Sequence, residues 1–372
     1  MLKNKLFVSL TIIIALLVIA MVTFDMKQSR DQLVHLHKEK QMELTGKELV
    51  KEAKIGGIGD ILIHDRVYHD AKTKTGYDFH PMLLPVKELL QTPDFLIANQ
   101  ESIPGGPALG ISSYPMFNSP YEIVDAIIDA GVDFVSTANN HSLDRREQGI
   151  LNAIAYFEKK GLPYVGTFKN QHDQQQLRIE TINGVKTAIL AYTYGTNGIP
   201  IPEGKEYLVN IIDKDKILKE ITRARKQADI VVVNLHWGIE YVRQPNEQQK
   251  ELAKVLTDGG ADIILGHHPH VLQPIERRQT SDGREAVIVY SLGNFLSGQY
   301  KEYKDIGGMV EITIEKKLTI DGQKLQLKEI AFYPTYLRKK GHTVFPLEEA
   351  YDKGMTNISP EDIITHMMDG GK

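Results

Sequence analysis

Residues 260–274 read Gly-Ala-Asp-Ile-Ile-Leu-Gly-His-His-Pro-His-Val-Leu-Gln-Pro, and this stretch decides the fold. A small-residue turn feeds the short apolar run Ile263-Ile264-Leu265, which stops at Gly266. His267, His268 and His270 follow at once. An apolar run bounded by glycine predicts a buried strand of an α/β domain. Ligands in such sheets collect beyond the carboxyl ends of the strands. Imidazoles crowded there suit a metal. The competing reading is a polar turn whose histidines bond only to backbone; three histidines so close favour the metal.

Working outward, the same grammar recurs. Residues 55–60 form a small-residue strand ending at Asp60, with His64 just beyond. Residues 93–101 are an apolar run closing on Asn99-Gln100-Glu101, followed by a Gly- and Pro-rich loop over 103–115. Ser119-Pro120-Tyr121-Glu122 has the spacing of a capping box before a helix that Gly131 ends. The strand 132–136 then runs into Asn139-Asn140-His141, and Asp144 and Glu147 have the spacing of a second capping box. Residues 184–193 form another strand, leading to the loop 195–198. Residues 229–235 (DIVVVNL) are almost continuously β-branched, as a parallel strand buried on both faces requires. That strand ends at His236, beside the chain's single tryptophan, Trp237, which reads either as core or as the wall of a pocket. The strand 285–290 leads to Asn294, and two alternating strands follow it. Asp60, Glu101, Asn140-His141, His236 and His268/His270 thus each follow an apolar strand, too regular an order for decoration.

Composition narrows the chemistry. The 372 residues include no cysteine, so any metal must be held by His, Asp, Glu or Asn, a donor set suited to zinc, manganese or iron. A hydrophobic content of 42% with 25% charged residues is that of a globular protein. The formal net charge of −4 gives no reason to expect nucleic acid. No G-x-x-x-x-G-K-[ST] loop is present, so the chain alone is not expected to use ATP.

The N-terminus carries a different signal. Residues 6–24 are 19 uncharged, mostly apolar positions preceded by Lys3 and Lys5. At about 1.5 Å per residue this run just crosses a hydrocarbon core of roughly 30 Å. The lysines on the short side predict a single-pass signal anchor with a cytoplasmic N-terminus and an extracellular main domain. Cleavage as a signal peptide is the alternative, but no small-x-small exit is present.

The motif order resembles the calcineurin-like metallophosphoesterases. More closely, the chain is similar to the bacterial capsule-synthesis family of CapA, also called PgsA, which takes part in poly-γ-glutamate biosynthesis. The resemblance rests on Gly59-Asp60, Asn99-x-Glu101, Asn139-Asn140-His141-x-x-Asp144, His236-Trp237-Gly238-x-Glu240-Tyr241, Gly266-His267-His268-Pro269-His270-Val271 and Tyr290-Ser291-Leu292-Gly293-Asn294-Phe295. It implies a four-layer α/β/β/α sandwich holding one or two divalent ions (Mn, Zn or Fe). Asp60, Glu101, Asn140, His236, His268 and His270 would be the ligands, Glu101 bridging. His141 would be a general acid oriented by Asp144, and His64, His267, Asn99, Asn139, Glu240 and Asn294 would be additional or supporting positions. The chain departs from the phosphoesterase pattern at Leu62, where Asp-x-His would place a histidine. His64 is roughly 13 Å from Asp60 along an extended strand and could ligate only if the chain turns.

The expected organisation is an anchor over 1–24, a polar spacer over 25–53, the metallophosphoesterase-like domain over 54–340 and a polar extension over 341–372. The expected role is that of a membrane-anchored component of capsule or poly-γ-glutamate synthesis or export, working with other subunits. The alternative is an active hydrolase of an envelope phosphoester or anionic polymer.

Overall fold

The computed structural model describes residues 25–29, 49–320 and 322–369. The predicted anchor and most of the spacer lie outside these residues. Among the described residues no helix is long and apolar enough to cross a membrane. The chain divides into two compact units, residues 1–50 with 317–324 and residues 51–316 with 325–372. In the first, residues 25–29 are helical and the remaining described residues are strand ends and a turn. All that follows concerns the second.

In chain order the strands are β1 (Leu49–Leu62), β2 (Phe95–Gln100), β3 (Phe134–Ser136), β4 (Tyr164–Val165), β5 (Arg178–Ile182), β6 (Val185–Thr193) and β7 (Ile230–His236). They continue as β8 (Ile263–His267), β9 (Leu272–Gln279), β10 (Glu285–Leu292), β11 (Asn294–Ser297), β12 (Ile306–Thr319), β13 (Gly322–Arg338) and β14 (Thr343–Pro346). The longer helices are α1 (Glu122–Ala130), α2 (Arg146–Lys160), α3 (Lys214–Arg225), α4 (Glu247–Asp258) and α5 (Pro360–Met368). This is an α/β fold with two mixed sheets. One runs β14-β13-β12-β1-β2-β3-β4 with β11 beside β1; the other runs β5-β6-β7-β8-β10-β9. The central pairs β1–β2, β2–β3, β6–β7, β7–β8 and β8–β10 are parallel.

The period of two along a strand sorts side chains into separate cores. In β2, Phe95 and Ile97 enter one core while Leu96 and Ala98 enter another. In β7, Ile230 and Val232 join the first of these, while Val231, Val233 and Leu235 enter a third. The shared core holds residues of both sheets, such as Ile55 and Phe134 from one and Ile189 and Val289 from the other. The second core takes α1 and α2 through Ile123, Ile127, Ile150 and Phe157. The third takes α3 and α4 through Ile217, Ile221 and Leu256.

Local signals account for the helix ends unevenly. Asn246 and Gln249 make a reciprocal capping box at α4, and Gly131 closes α1 at φ +118°. The two boxes expected at 119–122 and 144–147 do not form. Ser119 donates its hydroxyl to Ser102 at 2.8 Å instead, and α1 and α2 begin without a side-chain cap. Asp144 is drawn away by a histidine, as described below. Residues 49–53, placed in the spacer by sequence, are already strand β1. Residues 341–372, read as a polar extension, supply β14, which pairs with β13, and α5, whose Ile363 and Met367 are buried in the shared core. Their apolar residues come in short groups, Val344-Phe345, Ile363-Ile364 and Met367-Met368, set among polar ones, so average composition concealed them.

A candidate metal centre at the carboxyl ends of two sheets

Strand register gathers the polar clusters. In the first sheet Asp60 lies opposite Asn99, and Asn99 opposite Ser136. In the second, Thr193 lies opposite His236, and His236 opposite His267. Both rows lie at or next to the carboxyl ends of their strands, where an α/β sheet presents ligands.

Two glycines permit the approach. A Cβ on Gly59 would lie 2.1 Å from the Gly293 carbonyl, and β1 is irregular at this point, leaving Asp60 to accept side-chain bonds. A Cβ on Gly266 would lie 2.0 Å from the Tyr290 carbonyl and 2.7 Å from Trp237 Nε1. Beyond Gly266 the backbone turns sharply, with His268 at φ +96° and His270 at φ +58°. Such conformations cost a non-glycine residue about 1–3 kcal/mol and persist where the surroundings enforce them. Here they turn both rings inward.

Asp60 is fully buried. Its Oδ1 accepts from Asn99 Nδ2 at 2.8 Å and lies 3.4 Å from His267 Nδ1, while Oδ2 lies 3.2 Å from His270 Nδ1. Glu101, equally buried, has Oε1 3.5 Å from His236 Nε2 and 3.7 Å from His270 Nε2. His236 Nε2 lies 2.9 Å from Asn140 Oδ1. Three sets of donor atoms converge within 4.8 Å: Glu101, His236 and His268; Asp60, Glu101 and His270; and Glu240, His268 and His270. Glu240, on the exposed rim, is the outermost member.

The donor set suits a cation. Both Glu101 carboxylate oxygens, Asn99 Oδ1, His268 Nδ1 and His270 Nδ1 are buried without a hydrogen-bond partner. Buried polar atoms are normally paired, so such a concentration of unpaired ones around one point marks a place for a group not made of protein. These residues can hold a divalent ion through carboxylate, amide oxygen and imidazole ligands.

Electrostatics agrees. Burial, helped by the neighbouring His270 charge, pushes His268 down to about 3. Burial likewise holds His236 well below the ordinary imidazole value, so both rings are neutral near pH 7 and keep a lone pair for a metal. Burial alone would lower His270, but the Glu101 and Asp60 carboxylates overcome it and raise it to about 9. Burial would raise Asp60, yet the adjacent His267 and His270 rings hold it well below the carboxylate range.

The metal-free protein should lose stability as pH rises above neutrality. Because the folded value of His270 exceeds the ordinary one of about 6.5, its stabilisation is complete below about that pH and is lost as pH rises through about 9. Thermal unfolding in chelator between pH 6 and 10 should show this fall. Divalent ion, which takes the proton's place, should flatten it.

The other expected residues belong to none of the three donor sets, Glu240 excepted. His141 Nδ1 lies 2.7 Å from Asp144 Oδ2, which also accepts the Phe117 backbone N–H at 2.7 Å. Asn139 bonds the Gln100 carbonyl and accepts the His141 N–H, shaping the loop without facing the donor sets. Asn99 reaches both Asp60 and His236 Nδ1, the latter at 3.4 Å. His267 Nδ1 faces Asp60 Oδ1. Asn294 bonds the carbonyls of His270 and Lys304. His64 is not part of any donor set: the chain does turn after Leu62, but His64 Nδ1 accepts the Gly298 N–H at 3.1 Å and its ring packs on Phe117. Trp237 is core, donating to the Tyr290 carbonyl at 3.0 Å.

Two residues at the centre were missed. Tyr194 tilts against His268 with centroids 4.7 Å apart, and Asn197 contacts Asn140 and His141 at 3.2 and 3.4 Å. Both sit in the loop after β6, whose position at a strand end was the available signal.

Fold and site together define an α/β protein with a buried carboxylate–imidazole centre fed by the ends of two sheets. Residues 54–299 match the family described as bacterial capsule synthesis protein PGA_cap, and the chain belongs to that family. It is 38% identical over 182 residues to "Capsule biosynthesis protein CapA" of Bacillus anthracis, covering 48% of this chain and 43% of that protein. It is also 38% identical over 180 residues to "PGA biosynthesis protein CapA" of Bacillus subtilis (strain 168), covering 48% and 46% respectively. The chain thus spans less than half the length of these curated relatives. Among solved structures it is similar to the calcineurin-like phosphoesterase YfkN from Bacillus subtilis, at TM-score 0.45 and 17% identity, covering 76% of this chain and 91% of that one.

Proposed function

We propose that the chain is a membrane-anchored, extracellular component of capsule-polymer synthesis or export, with poly-γ-glutamate as the polymer and other subunits of that machinery as partners. The observation that carries this reading is the family match over residues 54–299, a span containing every residue of the centre. The names of the two relatives and the apolar run over residues 6–24 support it. The three cores support an α/β/β/α layering.

In this reading Asp60, Glu101, Asn140, His236, His268 and His270 hold one or two ions of manganese, zinc or iron. When bound, such ions supply a Lewis acid and a source of hydroxide. Asn99 and His267 fix the Asp60 carboxylate. Tyr194 packs on His268 and limits the exposure of that ring.

The His141–Asp144 pair favours a second reading, hydrolysis of an envelope phosphoester. Asp144 would accept from His141 Nδ1–H and stabilise the imidazolium, whose Nε2–H would protonate a departing oxygen. The two readings separate in one experiment. A strain lacking the protein should lose its surface polymer, and the wild-type gene should restore it. Restoration by a variant with both His268 and His270 replaced by Ala would support a scaffold. Failure of that stably folded variant would support a working centre. Unchanged surface polymer in the deleted strain would contradict the proposed role.

A further inference from the structure

A cleft of about 320 Å³ has a lining that includes Arg243, Tyr303, Asn357, Ser359, Asp362 and His366. The Arg243 guanidinium is stacked 3.9 Å over the Tyr303 ring, and its Nε is buried without a hydrogen-bond partner. Asp362 shares the lining, yet Arg243 forms no ion pair among the described residues. A cation held by stacking rather than by a carboxylate keeps its donors available for an anion. His366 is fixed through a 3.0 Å contact between Nε2 and the Leu272 carbonyl. Ser359 caps α5 by accepting the Asp362 N–H, and that first turn carries Glu361 and Asp362, so the positive charge of the cleft comes from Arg243.

The cleft and the centre are joined by short stretches of chain. Arg243 follows Tyr241 by two residues, about 7 Å if extended, and the Tyr241 ring is centred 6.1 Å from that of His270. Lys304, next to Tyr303, holds Nζ 4.8 Å over the Tyr241 ring. Asn294 ties the backbone of Lys304 to that of His270. Lys304 Nζ also pairs with Glu302 at 2.8 Å, which leaves Arg243 as the group that faces an anion on this side of the centre.

We propose that this cleft is an anion subsite that takes a carboxylate of an acidic polymer while another part of the same molecule lies at the centre, with Arg243 as the recognising residue. The assignment rests on the capsule-polymer reading above. A polymer with repeated carboxylates fits two anion-accepting positions on one surface, and the planar guanidinium fork matches a carboxylate in bidentate fashion.

The test is equilibrium binding of a fluorescent γ-glutamyl oligomer to the full chain loaded with Mn²⁺, with inorganic phosphate as a second probe. Arg243→Gln should weaken oligomer binding about tenfold or more, and Arg243→Lys should recover part of it. Metal content and melting temperature should match the wild type. If Arg243→Gln does not fold, Tyr303→Leu, which removes the stacking partner, should weaken binding in the same direction. Wild-type affinity in the folded Arg243→Gln variant would overturn the subsite and leave the polymer reading standing. No oligomer binding by the wild type would overturn both. Arg243-dependent binding of phosphate without oligomer binding would overturn the carboxylate assignment.

Discussion

Replacing Glu101 by Gln should make the metal-free protein more stable and the metal-loaded protein less so. Burial, with repulsion from Asp60, lifts the Glu101 carboxyl well above the ordinary value, although His270 opposes the shift. A raised folded value means that the carboxyl adds no penalty at low pH and an increasing one as pH climbs past the usual range of about 4.3. Gln has nearly the same shape and cannot ionise, so the penalty disappears; the expected gain near pH 7 is about 1–3 kcal/mol. With metal present the sign reverses. A ligand at a thousandfold its dissociation constant stabilises by about 4 kcal/mol, and losing a carboxylate shared by two of the donor sets removes much of that. Denaturant unfolding of both proteins, in chelator and in excess Mn²⁺, checks both signs. A variant less stable in chelator would mean that Glu101 is satisfied by protein.

On the hydrolase reading, the second large effect is at His141. His141→Gln should slow turnover of a chromogenic phosphodiester by about 10²–10⁴-fold, the range for loss of a positioned general acid. Metal content should not change, because His141 belongs to none of the converging donor sets. Asp144→Asn should act in the same direction more weakly, since it disturbs the His141 tautomer and also one bond to the Phe117 N–H. A matching loss of metal in either variant would place the pair in the centre's framework rather than in proton transfer.

The parts of this molecule readable from sequence are the buried strands and the loops that end them. β7 and β8 declared themselves because strands buried on both faces must be apolar throughout. The residue ending or following each such strand was then a candidate by position alone, which located Asp60, Glu101, His236 and the 267–270 histidines. What the sequence hid depends on long-range geometry. Tyr194 and Asn197 belong to the centre only because β6 pairs with β7 in a register that sets Thr193 opposite His236. Asp144 is set beside His141 by the family resemblance alone, since its spacing is the same whether the carboxylate caps a helix or holds His141. His64 illustrates the converse: it turns toward the correct neighbourhood, yet the Gly298 N–H occupies its Nδ1.

The central claim is that Asp60, Glu101, Asn140, His236, His268 and His270 form one metal centre, and metal analysis tests it most directly. The full chain, dialysed against Mn²⁺, Zn²⁺ or Fe²⁺ and freed of loose ions, should retain about one or two divalent ions per chain. The variant with both His268 and His270 replaced by Ala should retain almost none while remaining folded. A wild-type chain that holds no metal, or a folded double variant that holds as much as the wild type, would contradict the account.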